Sequence, residues 1–298
     1  MMVKNFKTYL KESMDSILSQ TFKDLEFIIV DNASTDGTSE LIASYDDPRV
    51  RHLRIDKDLG FTASLNYGIE RAKGDFVARH DADDVSLPQR FERQVAYLKE
   101  HKDVDLLGSF VQVIDADGKK QDIRFSAVDH DSLVGEMLLG NPMSHGSVMM
   151  RARVLKRFKY NPIMRYAQDY ELWLRLRKDG AFRFHVLPEV LYLWRDHGGT
   201  VTVKKRFEQL AFSEYARLTV LEGETDLTLD EVMERMRGGF NRSRMRYLAQ
   251  VHRDRYFSPD TSSLGKAYHL MVSFPFQPGY WSNEIKRKGQ SKQLKKDQ

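Results

Sequence analysis

The apolar positions of this chain fall into two alternating patterns. Leu10, Met14, Ile17 and Leu18 recur at helical spacing, as do Phe61, Leu65 and Ile69 within GFTASLNYGIERA; SELIASY, between them, also reads as helical. Between these helices stand short apolar runs: LEFIIV over Leu25 to Val30, a strand from Arg49 to Ile55, and Phe76-Val77-Ala78. Runs apolar on both faces belong to strands covered on two sides. Strands alternating with helices predict right-handed βαβ units and a mostly parallel, Rossmann-like sheet flanked by helices, with ligands at the carboxyl ends of its strands. Further along, the pattern predicts helices from Pro88 to Glu100, Asp129 to Leu139 and Ala167 to Lys178. It predicts strands from Val104 to Ile114, Lys120 to Phe125, Ser147 to Met150, Phe182 to Val186 and Val190 to Trp194. Beyond His197-Gly198-Gly199 the chain turns charged and helical. The chain thus divides into an α/β domain over 1–200 and a mainly helical extension over 201–298.

Two strand ends are acidic. LEFIIV runs into DNASTD, and Phe76-Val77-Ala78 runs into HDADD, which holds Asp81, Asp83 and Asp84. If the strand continues through the acids, Asp81 and Asp83 share one side, about 6–7 Å apart. Carboxylates that close repel unless a cation lies between them. Oxygen ligands of this kind suit Mg²⁺ or Mn²⁺ carrying phosphates. The competing reading is a solvated loop that caps the next helix. A calcium loop is excluded, because Ser86 stands where the sharp turn needs glycine. His80 should point the other way and be structural, and Trp173 and Trp194 read as core.

Composition narrows the classes. The 298 residues include no cysteine, so disulfides and thiolate metal sites are excluded. No apolar run reaches the length of about 18 residues that a membrane span needs, and MMVKNFKTYL is too polar for a secretory signal. The expected location is cytoplasmic. The net charge of +4 is concentrated in the tail at Lys286, Arg287, Lys288, Lys292, Lys295 and Lys296, after the aromatic FPFQPGYW. That tail suits peripheral contact with an anionic membrane face. Nucleic-acid binding has no other support, and the glycine-rich phosphate loop of a nucleotidyltransferase is missing.

DNASTDGT, DLGFTASLNYGIERAKGDFVARHDADDVSLPQRFERQVAYL, NPMSHGSVMMR, QDYELWLRLRKDG and LWRDHGG follow one another in this order. Over roughly residues 5–200 the chain thereby resembles family 2 glycosyltransferases of the GT-A fold. The resemblance implies inverting, metal-dependent transfer from a nucleotide sugar, UDP-linked, to a glycan or lipid-linked acceptor in surface polysaccharide assembly. It implies that Asn5 contributes to the nucleotide pocket and that Asp31, Ser34, Thr35 and Asp36 lie against base and ribose. Asp58 would lie near the nucleotide, with Asn66 on the helix behind it. Asp81 would meet the ribose or a metal-bound water, and Asp83 would ligate the Mn²⁺ or Mg²⁺. Asp169 would be the general base and His145 would lie on the acceptor side. Arg195 and His197 would close over the pyrophosphate, His197 also reaching the metal.

Two departures stand out. The family opens with an apolar strand ending in a Tyr-Asn-like pair. Here Val3-Lys4-Asn5 aligns with its end, and the strand itself is expected to be missing, which would expose backbone groups of its neighbours. Gln168 stands where the family usually has Glu. Both motivate an alternative, a non-catalytic nucleotide-sugar-binding or scaffolding homologue.

Overall fold

The computed structural model describes residues 1–197 and 205–238. The chain forms two compact units, Met1–Lys204 and Lys205–Gln298. The first opens with β1 (Met2–Val3), α1 (Leu10–Leu18), β2 (Phe27–Asn32), α2 (Thr38–Ala43), β3 (Val50–Ile55) and α3 (Phe61–Arg71). These strands form a parallel sheet in the order β1-β2-β3, as the βαβ pattern predicts.

The next elements are β4 (Phe76–Ala78), β5 (Val85–Ser86), α4 (Arg90–Glu100), β6 (Val104–Ile114) and β7 (Lys120–Arg124). They are followed by α5 (His130–Glu136), β8 (Met149–Arg151), α6 (Ala152–Phe158), α7 (Gln168–Asp179) and β9 (Arg183–Arg195). A second sheet runs β4-β8-β6-β9-β5, with β7 beside β6. Here only β6 and β9 pair in parallel; the other pairings are antiparallel. The fold is therefore α/β as expected, with a mixed second sheet. The β6–β7 hairpin turns through Asp115 to Gly118, and Gly118 takes the positive φ of +83° that the turn requires.

Several local expectations change. The strand expected to be missing is present as a stub, since Met2 and Val3 pair with Val30 and Asp31. Asp81 and Asp83 do not extend β4: the chain turns after Ala78 and the acids lie in the β4–β5 turn, where Asp84 N–H reaches the Asp81 carbonyl at 3.4 Å. The helix after Pro88 begins at Arg90, because Leu87 to Gln89 form a turn that ends on the Arg90 N–H. The strands expected over 182–186 and 190–194 are one strand, β9, which keeps its pairing with β6 through register shifts near Ser109 and Phe110. The two-residue β5 and the helix α6 had no clear periodicity to announce them.

The core of the first unit gathers Leu10, Met14 and Ile17 of α1, Phe27 and Ile29 of β2, and Phe91, Val95 and Leu98 of α4. These are the apolar faces that the helical spacing marked. Trp173 is fully buried, whereas Trp194 is half-buried beneath the Arg124 guanidinium, 3.9 Å from its ring centre. The second unit contains α8 (Arg206–Arg217), a π-helical turn (Leu218–Glu222) and α9 (Leu229–Arg237), which pack around Ala211, Val232 and Met236. Thr228 and Glu231 form a capping box at the start of α9. FPFQPGYW and the basic tail lie outside the described residues.

Candidate active site

The acid turn is built from beneath. Arg79, which directly follows β4, is buried; it pairs with the Asp81 carboxylate and donates to the His80 carbonyl. Asp84 is 1% exposed and accepts from the Tyr192 hydroxyl at 2.8 Å and the Arg195 N–H at 2.7 Å. The Tyr192 hydroxyl accepts in turn from the Asp81 N–H at 3.1 Å. Burial, and then the neighbouring Asp83, hold the Asp84 carboxyl well above the usual carboxylate range. Asp84 and Tyr192 therefore anchor the turn. His80 joins Ser13 (2.9 Å) to Ser86 (3.1 Å) inside the fold, and burial, then Arg90, keep it neutral, which matches its expected structural role.

Asp83 is the acid of the turn that faces His197, with Oδ2 3.2 Å from Nε2. Burial and then Asp81 raise its pKa, and His197 opposes the shift. Arg195 is expected over the pyrophosphate, yet its guanidinium is 2% exposed and engaged within the fold. It donates to the Asp83 carbonyl (2.9 Å) and to Glu12 (2.6 Å), and lies 4.4 Å from the Tyr9 ring centre. In this arrangement it secures the backbone of Asp83. Phe6 and Tyr9 flank the His197 ring at 5.9 and 5.3 Å.

One carboxylate and one imidazole thus meet at the lip of the turn, and among the described residues no cluster of three metal-ligating side chains occurs. The Asp83 carboxylate is an oxygen ligand of the kind a hard divalent ion takes together with phosphate oxygens and water, and the imidazole beside it suits an ion that also accepts nitrogen.

Asp169 lies in the first turn of α7 and is 8% exposed. Burial lifts its pKa to about 6, against a backbone N–H bond and a 2.6 Å hydrogen bond from the Asn141 amide. The Asp81 charge adds to the rise, so the Asp169 carboxyl and the acid turn share one field. Half-buried His145 lies in a 3₁₀ turn (His145–Ser147), with Nε2 2.7 Å from the Tyr160 hydroxyl. Burial, then Arg79, holds it well below the ordinary histidine range. Asn66 clamps Tyr160 by its backbone, donating at 2.8 Å and accepting at 3.0 Å. Gly146 is required next to His145, because a Cβ there would overlap the Tyr192 hydroxyl.

The remaining predicted residues gather at the ends of β1, β2 and β3. Asn5, at φ +47°, accepts from Thr35 N–H (2.7 Å), and its own N–H donates to Ser34 Oγ (3.0 Å). Asp36 caps Thr38 through its N–H (3.0 Å) and hydroxyl (2.5 Å). Asp58 accepts from Lys4 (2.5 Å), Asn32 (2.6 Å) and the Gly60 N–H (2.8 Å), which together lower its pKa to about 2. Asp31 is fully buried. One of its oxygens accepts from Ser34 N–H at 3.0 Å; the other has no hydrogen-bond partner and lies 3.6 Å from His52.

The family model described as glycosyl transferase family 2 matches residues 1–158. This chain belongs to glycosyl transferase family 2. Its relatives include the putative glycosyltransferase EpsE of Bacillus subtilis, 38% identical over 201 residues, covering 65% of this chain and 70% of that one. The amylovoran biosynthesis glycosyltransferase AmsE of Erwinia amylovora is 31% identical, covering 66% of this chain and 73% of that one. S. aureus TarS, solved as residues 1–349 with UDP-GlcNAc, superposes with a TM-score of 0.59 at 17% identity, covering 92% of this chain and 87% of that one. That likeness is one of fold.

In this family 2 glycosyltransferase the residues that position the site include several to which the sequence reading gave no role: Tyr192, Asn141, Tyr160 and Glu12. Asn141 was visible as the first residue of NPMSHGS, though nothing in that string pairs it with Asp169. Tyr192 had only a strand period to its name.

Proposed function

We propose that this glycosyltransferase is an inverting enzyme. It takes a sugar from a nucleoside diphosphate, UDP, with the aid of Mn²⁺ or Mg²⁺, and places it on a hydroxyl of a glycan or lipid-linked acceptor in surface polysaccharide assembly. The observation that carries the reading is that the acid turn presents Asp83 to His197 while a second carboxyl, Asp169, is buried at the start of α7 within the electrostatic reach of Asp81 in that turn. Asp83 stands beside His197, and Asp169 ionises near 6 under the added influence of Asp81. Two carboxyls held in different environments can take different tasks.

Asp169 would accept the proton of the acceptor hydroxyl, since a base that ionises near the working pH transfers protons most effectively. Neutral His145 and Tyr160 offer hydrogen bonds on that side. Asp83 and His197 would hold the cation, which supplies positive charge to the departing diphosphate. Attack opposite the leaving group in a single displacement inverts the anomeric carbon and needs no side-chain adduct. Support comes from TarS, solved with UDP-GlcNAc and with UDP, and from relatives named for amylovoran and O-antigen biosynthesis.

The test is UDP release from a panel of UDP-sugars with Mn²⁺, in the presence of candidate acceptors. Turnover should vanish with EDTA and return with Mn²⁺. Asp169→Asn should lower turnover by about 10²–10⁴ and leave calorimetric binding of UDP with Mn²⁺ intact. Turnover that survives both treatments overturns the proposal. Binding of every donor without turnover of any would favour the non-catalytic alternative.

A further inference from the structure

His145 and Tyr160 are joined by one side-chain hydrogen bond, and each ring is held in place from elsewhere. Tyr160 is 4% exposed and lies just beyond the end of α6. Asn66 of α3 grips its backbone, donating to the carbonyl at 2.8 Å and accepting from the N–H at 3.0 Å. Its hydroxyl lies 2.7 Å from His145 Nε2 and, among the described residues, has no other hydrogen-bond partner. The imidazole opens the 3₁₀ turn His145–Ser147. It stands edge-to-face with Tyr160 at 5.3 Å and with Trp173 at 6.3 Å between ring centres.

That hydrogen bond has a direction. Burial, and further the Asp169 and Asp81 charges, raise the Tyr160 pKa against the Arg79 charge, so the phenol keeps its proton. A buried O–H is costly without an acceptor, and Nε2 is the acceptor within reach. Nε2 must then offer its lone pair. A neutral imidazole carries its one proton on the other nitrogen, and burial, then Arg79, keep His145 neutral. The proton therefore sits on Nδ1. Among the described residues Nδ1 has no hydrogen-bond partner, and it is not one of the partnerless atoms sealed inside the fold. It is an unused donor on a half-buried ring, and the Asp169 charge reaches the phenol that holds that ring.

We propose that Tyr160 fixes His145 as the Nδ1–H tautomer, and that this N–H donates to the sugar hydroxyl oxygen that Asp169 deprotonates. The inference rests on the transfer mechanism proposed above. A hydroxyl has one proton and two lone pairs. With one lone pair engaged by Nδ1–H, the proton turns towards Asp169 and the second pair is left for the anomeric carbon. That pair forms the glycosidic bond, the bond from sugar to diphosphate breaks, and the proton passes to Asp169. His145 cannot take it, because Nδ1 is already protonated and Nε2 is filled by the phenol. The imidazole therefore orients the hydroxyl and Asp169 is the base. Tyr160 acts through the imidazole and is a positioning residue.

The test reads the tautomer first. In protein isotopically labelled at the histidine ring nitrogens, long-range proton–nitrogen spectra at neutral pH should show His145 protonated on Nδ1 and bare on Nε2. Loss of the signal in His145→Asn assigns it, and Tyr160→Phe should move the proton towards Nε2. A native ring protonated on Nε2 overturns the proposal. Kinetics read the second half. An asparagine amide N–H takes the place of Nδ1–H, and a glutamine amide that of Nε2–H. His145→Asn should therefore keep about tenfold more kcat/KM than His145→Gln, the worth of one hydrogen bond. Tyr160→Phe should lower kcat and leave calorimetric binding of UDP with Mn²⁺ unchanged. Equal losses in the asparagine and glutamine variants, or a better glutamine, overturn the proposal. If Tyr160→Phe fails to fold, the native spectrum and the asparagine–glutamine comparison decide without it. Native protein that turns over no donor yet shows the Nδ1–H signal overturns the transfer mechanism, and this role with it, while the tautomer stands.

Discussion

Asp169 occupies a costly environment for a carboxylate, and that cost belongs to its proposed task. Its pKa, raised to about 6, disfavours ionisation at neutral pH by on the order of 3 kcal/mol. A carboxyl with a raised folded pKa contributes stability that is complete below its unfolded value and is lost as pH rises through 6. Asp169→Asn should therefore stabilise the protein at pH 7 by about 1–3 kcal/mol in urea melts, while lowering transfer by about 10²–10⁴. The Asn141 amide counters the shift, so Asn141→Ala should move the acid limb of the pH–rate profile to higher pH, read from kcat between pH 5 and 8. Tyr192→Phe leaves buried Asp84 short of a donor and should cost about 1–3 kcal/mol in urea denaturation. Asp169 was named from the sequence only because QDYELWLRLRKDG resembles the family's motif; its place at a helix start by itself suits an ordinary first-turn acid. Asn141 and Tyr192 were given no role, because their partners lie 28 and 108 positions away.

At the scale of elements, the period of the apolar residues found most helices and strands and lost their ends. It carried β4 straight through Asp81 and Asp83, although three carboxylates crowded on a strand tip lack the donors that the turn supplies from Arg79, Tyr192 and the Arg195 backbone. It divided β9 where the pairing with β6 slips, since a bulge interrupts alternation without ending the ladder. The turn and the His145–Ser147 segment are locked together at Gly146, against which the Tyr192 hydroxyl packs. Gly146→Ala should be destabilising by about 1–3 kcal/mol, measured as a lower urea midpoint. The hydroxyl cannot retreat without releasing Asp84 and Asp81.

At the scale of the molecule, the first unit holds two sheets, a parallel one of three strands and a mixed one, and the acids of the site lie at strand ends of both. The residues alone determined that strands alternate with helices and that acids cluster at their ends, because both properties are written in local spacing and residue type. That Asp84 lies buried under Tyr192 and that Asp169 ionises near neutrality were decided only when distant segments met, because burial and partnership are properties of the packed neighbourhood and have no local signature.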